Sequence, residues 1–206
     1  MKVNITQDGK KKEFNIISNW EDVTLEKWAE LIAANKNIKG KKAKEAINTI
    51  KHLSDMPQDL IEQFNLSDIS KILEKIADIQ ARANSELVSK ITVNDKEYGF
   101  HPNLEEITLG EWADIETCIT NGIQDNLHKI MAILYRPIVE TKGNYYTIEK
   151  YNSESKKMRE QEFKDMSAEQ VQSALVFFWT FANELLKLLP WYLTDKMRSQ
   201  TKNQAT

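Results

Sequence analysis

The sequence predicts an α+β protein that is mainly helical and contains two copies of one small lobe. The first observation is a nine-residue phrase that occurs twice, as VTLEKWAEL at 23–31 and as ITLGEWADI at 107–115. The second observation is that apolar and polar residues alternate before each phrase, which is typical of a β-hairpin. The third is a helical period in the apolar positions that follow. We therefore expect two duplicated lobes, each a β-hairpin followed by capped helices.

Each predicted hairpin has a turn signal at its centre and a helix start behind it. The turns are Asp8-Gly9 in the first copy and Asn94-Asp95 in the second, and both pairs favour tight hairpin turns. Thr24 and Thr108 are predicted N-caps, because a hydroxyl oxygen can accept from a free backbone N–H in the first helical turn. Thr108 and Glu111 also have the spacing of a capping box.

The two phrases place a tryptophan at the same position of each predicted helix. Trp28 and Trp112 lie on the apolar face that Leu25 and Leu109 begin, at helical spacing. We expect both tryptophans to be structural and to close the corner between hairpin and helix. The alternative is that they lie on the surface and bind a partner.

A second correspondence lies further along each copy. Asp55-Met56 in the first copy matches Asp165-Met166 in the second, and a predicted helix start follows both. Ser167 and Gln170 have the spacing of another capping box. The repeat unit is therefore a hairpin, a capped helix, an apolar helix and a longer helix behind Asp-Met.

The repeat suggests a domain organisation without an obvious linker. We expect a first lobe at 1–88, a second lobe at 89–195 with an inserted hairpin at about 138–151, and a flexible tail at 196–206. The border, residues 80–90, lacks a Pro, Gly or Ser-rich stretch and reads as a helix running on to the next strand. We therefore expect the two lobes to pack against each other.

Composition and motifs provide no catalytic, cofactor-binding or metal-binding residues. The chain has 206 residues and a formal net charge of −3, so no global basic field indicates a nucleic-acid partner. His52, His101 and His128 are scattered without metal-ligand spacing. Cys118 is the single cysteine and is predicted to be a buried structural thiol. Phosphate-binding glycine loops and hydrolase signatures are absent from the sequence, so we expect a protein that is not an enzyme and needs no cofactor.

The helix predicted at 168–189 is apolar on most sides. Such a helix is either central to the fold or covered by a partner. The apolar run at 174–182 is too short to cross a bilayer, and the N-terminus has no signal-peptide h-region. The candidate partner-binding residues are Val176, Phe177, Trp179, Phe181, Leu188 and Trp191.

The one dense basic run is KNIKGKKAK at 36–44. It is compatible with contact to nucleic acid, with an acidic protein surface, or with a solvated linker between helices. Aromatic residues, which usually accompany single-strand binding, are absent from the run.

Three stretches carry a family resemblance that covers roughly residues 90–190. ITLGEWADIET, NLHKIMAILYRPI and ALVFFW resemble a group of uncharacterised proteins from tailed bacteriophages. The broader pattern, a hairpin that leads through a Thr-Leu phrase into helices, resembles phage tail assembly chaperones. That resemblance implies a virion morphogenesis protein that binds unassembled tape measure or tail tube subunits in the host cytoplasm.

Two alternatives to a tail assembly chaperone remain open from the sequence. One is a structural component of the virion, such as a tail, baseplate or connector protein. The other is a host-directed or nucleic-acid-associated phage protein that uses the run at 36–44. Self-association is a further option, whereas a membrane partner is not expected and nucleic acid is the least favoured partner.

Overall fold

The fold is known from a computed structural model, which describes residues 2–7, 10–36, 38, 40–83 and 86–180. It is α+β and mainly helical, as the sequence predicts. Below, "first half" means the described residues up to 83, and "second half" means those from 86 onward. The predicted tail at 196–206 lies outside the described residues.

Both halves begin with a hairpin and continue with helices. The first half contains β1 (Lys2–Gln7), β2 (Lys10–Asn15), α1 (Leu25–Lys36), α2 (Lys42–His52), α3 (Gln58–Ile61) and α4 (Leu66–Ala81). The second half opens with β3 (Lys90–Val93), β4 (Lys96–Phe100), α5 (Leu109–Thr120) and α6 (Leu127–Leu134). It continues with β5 (Tyr135–Lys142), β6 (Tyr145–Ile148), α7 (Ser153–Glu162) and α8, which is helical over residues 168–180.

The strands form two antiparallel sheets. One contains β1 and β2, and the other has the order β3-β4-β5-β6. Asn94 and Asp95 both have positive φ, at 49° and 61°, as the tight turn between β3 and β4 requires. The hairpin expected at about 138–151 is present as β5 and β6, but β5 begins earlier because Tyr135 already pairs with Phe100 of β4.

The two halves share their local structure between hairpin and helix. A 3-10 turn precedes each capped helix, at Trp20–Asp22 and at Leu104–Glu106, and the offset is 84 residues. Helices α1 and α5 then have 12 residues each at the same offset. The internal duplication stays a prediction, since shared local structure can also arise without it.

A backbone contact that closes each hairpin onto the following apolar helix also recurs. The Ile17 N–H donates to the Leu53 carbonyl at 3.0 Å, and the His101 N–H donates to the Leu134 carbonyl at 2.8 Å. Ile17 and His101 are again 84 residues apart. Leu53 therefore corresponds in position to Leu134, at the end of α2 and of α6.

The predicted caps are present. The Lys27 N–H donates to the Thr24 hydroxyl oxygen at 3.3 Å, and Thr108 and Glu111 form a complete capping box. The Gln170 N–H donates to the Ser167 hydroxyl oxygen at 3.1 Å, which caps the start of α8.

Each half has its own hydrophobic core, and the two repeated tryptophans lie at the edges of these cores. Trp28 and Trp112 are both half-buried. Trp28 packs against both cores and makes an edge-to-face contact with Trp20 at 6.4 Å between ring centroids. Trp112 packs against Phe178 of α8. Their packing is therefore less complete than full core burial.

The halves are joined where the starts of α1 and α8 meet, and we call this contact the joint. The Leu25 N–H donates to the Met166 carbonyl, and the Ala168 N–H donates to the Val23 carbonyl, both at 2.7 Å. Leu25 is only 1% exposed and belongs to the core of the second half. Ala168 is fully buried in the core of the first half. Each half thus inserts a side chain into the other, so the expected packing is present.

Two ion pairs cross from α1 to the second half. Glu26 lies 3.6 Å from Lys164, and Lys36 lies 4.0 Å from Asp125. All four side chains are substantially exposed, so each pair contributes little on its own. The joint therefore depends chiefly on its apolar contacts and its paired backbone hydrogen bonds.

The border between the halves, at residues 80–90, differs from the expectation, because α4 ends at Ala81 and does not run on toward β3.

A buried ion pair holds α5 against the four-stranded sheet. Glu111 is 1% exposed and its carboxylate lies 2.8 Å from Arg136 of β5, which is 4% exposed. The other carboxylate oxygen accepts from the Thr108 N–H at 2.7 Å and from the Thr108 hydroxyl at 2.6 Å. His101 lies 3.8 Å from the same carboxylate. One side chain therefore serves both as a cap and as the counter-ion of a buried arginine.

The joint predicts unequal effects of one substitution at two matched leucines. Leu25 and Leu109 are each the first residue of a 12-residue helix, but Leu25 is 1% exposed and Leu109 is 84% exposed. Leu25→Ala should lower the free energy of unfolding by about 2–5 kcal/mol, because it leaves a cavity in a core. Leu109→Ala should change it by less than about 0.5 kcal/mol. Urea denaturation measures both, and equal losses would contradict the joint.

The buried ion pair predicts that charge, rather than shape, matters at position 111. Glu111→Gln keeps the size of the side chain but leaves Arg136 buried without its counter-ion, so stability should fall by about 3–5 kcal/mol. In a double-mutant cycle, Arg136→Met should cost clearly less in the Glu111→Gln background than in the wild type. Additive losses in chemical denaturation would mean that the two side chains do not depend on each other.

Candidate functional site

Helix α8 is held firmly by one face. Its start is fixed by the Ser167 cap and by the backbone bonds of the joint. Val171 and Ala174 are fully buried, and Phe178 is 1% exposed. These residues recur at helical spacing and fill the core of the second half. The described part of α8 therefore cannot turn about its axis without opening that core.

The opposite face of α8 carries apolar side chains in contact with solvent. Val176 is 53% exposed and Phe177 is 46% exposed. Trp179 is half-buried, packs against the core, and lies 5.7 Å from Phe178 between ring centroids. We call Val176 and Phe177 the outer face of α8. Because the buried face fixes the helix, these two side chains are presented in a set orientation.

Phe177 also borders a groove of about 290 Å³ between α8 and the segment that follows β4. Its ring makes an edge-to-face contact with Phe100 at 5.6 Å between centroids. The groove is lined by Leu87, Ser89, Phe100, His101, Pro102, Asn103, Leu104, Glu105, Tyr146 and Phe177. A partner that covers the outer face of α8 can therefore also place an apolar side chain in this groove.

Tyr146 forms one wall of the groove and is locked in place. Its hydroxyl donates to the Phe100 carbonyl at 2.7 Å and lies 3.1 Å from the Ser89 carbonyl. Burial raises the pKa of this hydroxyl. Gly99 makes room for the ring, since a Cβ there would lie 2.3 Å from a ring carbon of Tyr146. The wall thus requires a glycine at position 99 of β4.

Besides the Tyr146 hydroxyl, the ionisable groups that line the groove are His101 and Glu105. Burial, followed by the nearby positive charge of Arg136, lowers the pKa of His101, so its imidazole is neutral at neutral pH. Glu105 is exposed. The lining therefore offers a carboxylate beside apolar and aromatic surface, which suits an apolar segment better than an anion.

The described residues contain only part of the predicted partner-binding set. Val176 and Phe177 lie together on the outer face, and Trp179 lies at its edge. Phe181, Leu188 and Trp191 lie outside the described residues. The groove residues Phe100, Leu104 and Tyr146 were not predicted, because their approach depends on the Tyr146 side chain of β6 packing over Gly99 of β4.

The other side chains considered from the sequence have ordinary surroundings. His52 Nδ1 lies 2.8 Å from the Asn48 carbonyl of its own helix. Cys118 is buried, and burial raises the pKa of its thiol. Among the described residues, no group of three or more His, Cys, Asp or Glu side chains is placed to hold a metal ion. In the same part of the chain, no helix combines the length and apolarity needed to cross a membrane.

The basic run at 36–44 is described only in part, without residues 37 and 39. Lys41, Lys42 and Lys44 are exposed around the start of α2. Gly40 has a φ of +88°, which L side chains rarely adopt, and its N–H donates to the Glu45 carboxylate at 3.0 Å. The described part of the run from Gly40 onward is therefore a turn into α2 with exposed lysines.

Comparison with known proteins found no relative of this chain. No family model, curated protein or solved structure matches the chain. The assignment to a phage protein group therefore stays a prediction from the quoted sequence stretches. Any function rests on those stretches and on the exposed side chains of α8 and its groove.

Proposed function

We propose that the chain is a non-enzymatic bacteriophage morphogenesis protein of the tail assembly chaperone type. In this proposal it binds an unassembled tail subunit, such as the tape measure or tail tube protein, and masks an apolar segment until assembly. The observation that carries the proposal is the outer face of α8, where Val176 and Phe177 are exposed on a helix that is otherwise fixed in a core.

The apolar surface available to a partner is the outer face of α8 together with the groove beside it. Single exposed apolar residues are common and need no explanation. Here two consecutive apolar residues are exposed and one of them, Phe177, borders a groove, and exposed apolar surface beside a groove is typical of protein interaction sites. The outer face is rigid, so binding would cost little ordering of the chaperone itself.

The test is binding of the candidate tail tube and tape measure proteins encoded in the same genome. Val176→Glu and Phe177→Glu should each weaken binding roughly 30-fold, because a charge at a central apolar contact costs about 2 kcal/mol or more. Titration calorimetry on co-purified partners measures the loss. Phe177 also contacts Phe100, so substitution of Phe177 changes internal packing as well as the outer face. The Val176 variant is included for that reason.

Leu66→Glu is the matched control. Leu66 is 81% exposed but lies on α4, outside the groove and the outer face of α8. Binding that is equally weakened by Leu66→Glu, or unchanged by both α8 variants, would contradict the proposed surface.

Mass spectrometry of purified particles and of infected-cell lysate distinguishes a chaperone from the alternative, a structural virion component. A chaperone is abundant in infected lysate and absent from purified particles, whereas a virion component is retained at fixed stoichiometry.

A further inference from the structure

The outer side of α5 is exposed along its length, whereas the corresponding side of α1 is buried at Leu25, half-buried at Ala29 and Ile32, and exposed only toward its end. The α5 face comprises five exposed residues at helical spacing: Leu109, Ala113, Glu116, Thr117 and Thr120. Their counterparts on α1, 84 residues earlier, are Leu25, Ala29, Ile32, Ala33 and Lys36. The contrast is largest at the first position, where Leu109 is 84% exposed and Leu25 is 1% exposed.

The α1 counterparts lie against the second half. Leu25, Ala29 and Ala33 border one crevice with Leu127, His128 and Lys164. Lys36 lies 4.0 Å from Asp125 across the same contact. The side of the helix that α5 exposes is therefore the side that α1 uses for the joint.

The surface that receives α1 also has a counterpart in the first half. Met166–Ala168 corresponds to Met56–Gln58, because Asp-Met precedes both helix starts. Asp125 corresponds to Lys44, because Leu134 and Leu53 accept equivalent backbone hydrogen bonds. Pro57, Gln58 and Lys44 are all exposed. Met56 is buried, as Met166 is in the joint, but the residues around it are not covered by any other described part of the chain. The described residues thus carry a second version of each side of the joint.

The backbone groups needed for a second joint are available. In the existing joint, two N–H groups donate to two carbonyls across the contact. The corresponding groups are the N–H of Leu109, the carbonyl of Ile107, the N–H of Gln58 and the carbonyl of Met56. Within the described residues, none of the four makes a hydrogen bond. Pairing them would therefore break no existing bond.

The charges of the two surfaces are complementary. Helix α5 has no basic residue over Leu109–Thr120; its Glu111 and Asp114 are paired with Arg136 and Lys156 of the same molecule, and its Glu116 is exposed on the α5 face. The opposing surface, at the start of α2, carries the exposed Lys42 and Lys44. Opposite charges at a rim favour association and set orientation. Lys42 and Lys44 of the basic run are thus opposite in charge to Glu116 of the α5 face.

We propose that the α5 face of one molecule docks against Met56–Gln58 and the start of α2 of a second copy of this chain. This contact between two molecules has the same arrangement as the joint, in which Leu25 takes part within one molecule. Because its two sides are different surfaces, the association is head-to-tail and continues into a ring or an open chain. It does not use the outer face of α8, so it holds whether or not the chain serves tail assembly.

The first test is the molar mass in solution, measured by light scattering on a size-exclusion column at increasing protein concentration. The wild-type mass should rise above the 23.9 kDa of one chain. Leu109→Glu should keep the mass at one chain, because it places a charge where the joint buries a leucine. Leu66→Glu is the matched control, since Leu66 is also the first residue of a helix and is 81% exposed.

The second test distinguishes head-to-tail docking from symmetric pairing of one surface. Gln58→Pro removes the N–H that the contact needs, and proline is tolerated at the first position of a helix. Gln58→Pro alone should also remain a single chain. An equimolar mixture of Leu109→Glu and Gln58→Pro should form a species of two chains and no larger one, because each variant keeps one intact surface.

Three results would overturn the proposal. The first is a wild-type mass that stays at one chain at every concentration. The second is loss of association by Leu66→Glu as complete as that by Leu109→Glu. The third is a mixture of the two interface variants that fails to pair while circular dichroism shows that both are folded.

Discussion

Two helix starts, those of α1 and α8, lie side by side and exchange a pair of backbone hydrogen bonds, and most of the architecture follows from that contact. Each start sends a side chain into the core of the other half, Leu25 in one direction and Ala168 in the other. An isolated half would therefore lack part of its own core. The joint also sets the direction of α8, because Ala168 is the first helical residue after the Ser167 cap. The exposure of Val176 and Phe177 is thus a consequence of how the halves interlock.

The second half carries one further constraint, a buried charge that has to be neutralised. Arg136 lies in β5 between buried or half-buried neighbours, and Glu111 reaches it from the first turn of α5. A buried ion pair of this kind adds little net stability, but loss of one partner is severe. Its effect is to fix α5 relative to the sheet, which in turn fixes His101 and the groove beside α8. The first half has Lys27 and Asp55 at the corresponding positions, and both are exposed.

Local signals in the sequence predicted the elements well, because hairpin turns and caps depend on neighbouring residues. The Thr108 and Ser167 capping boxes and the Asn94-Asp95 turn are examples. The joint was not predicted, because nothing in the spacing of Thr24 and Ser167 indicates that they meet. The groove was missed for the same reason, since Gly99 matters only once Tyr146 packs over it. An arginine inside the apolar run AILYRPIV was the one signal that could have indicated a buried carboxylate partner.

The most direct measurement of the joint is hydrogen exchange at single backbone amides by NMR, at a concentration where the chain is a monomer. The amides of Leu25 and Ala168 donate across the joint, whereas those of Leu109 and Gln58 make no hydrogen bond within the described residues. The structure predicts that Leu25 and Ala168 are protected as strongly as the core amides of α6, and that Leu109 and Gln58 exchange freely. If Leu25 and Ala168 exchanged as fast as Leu109, the two halves would not be interlocked, and the orientation of α8 would lose its physical basis.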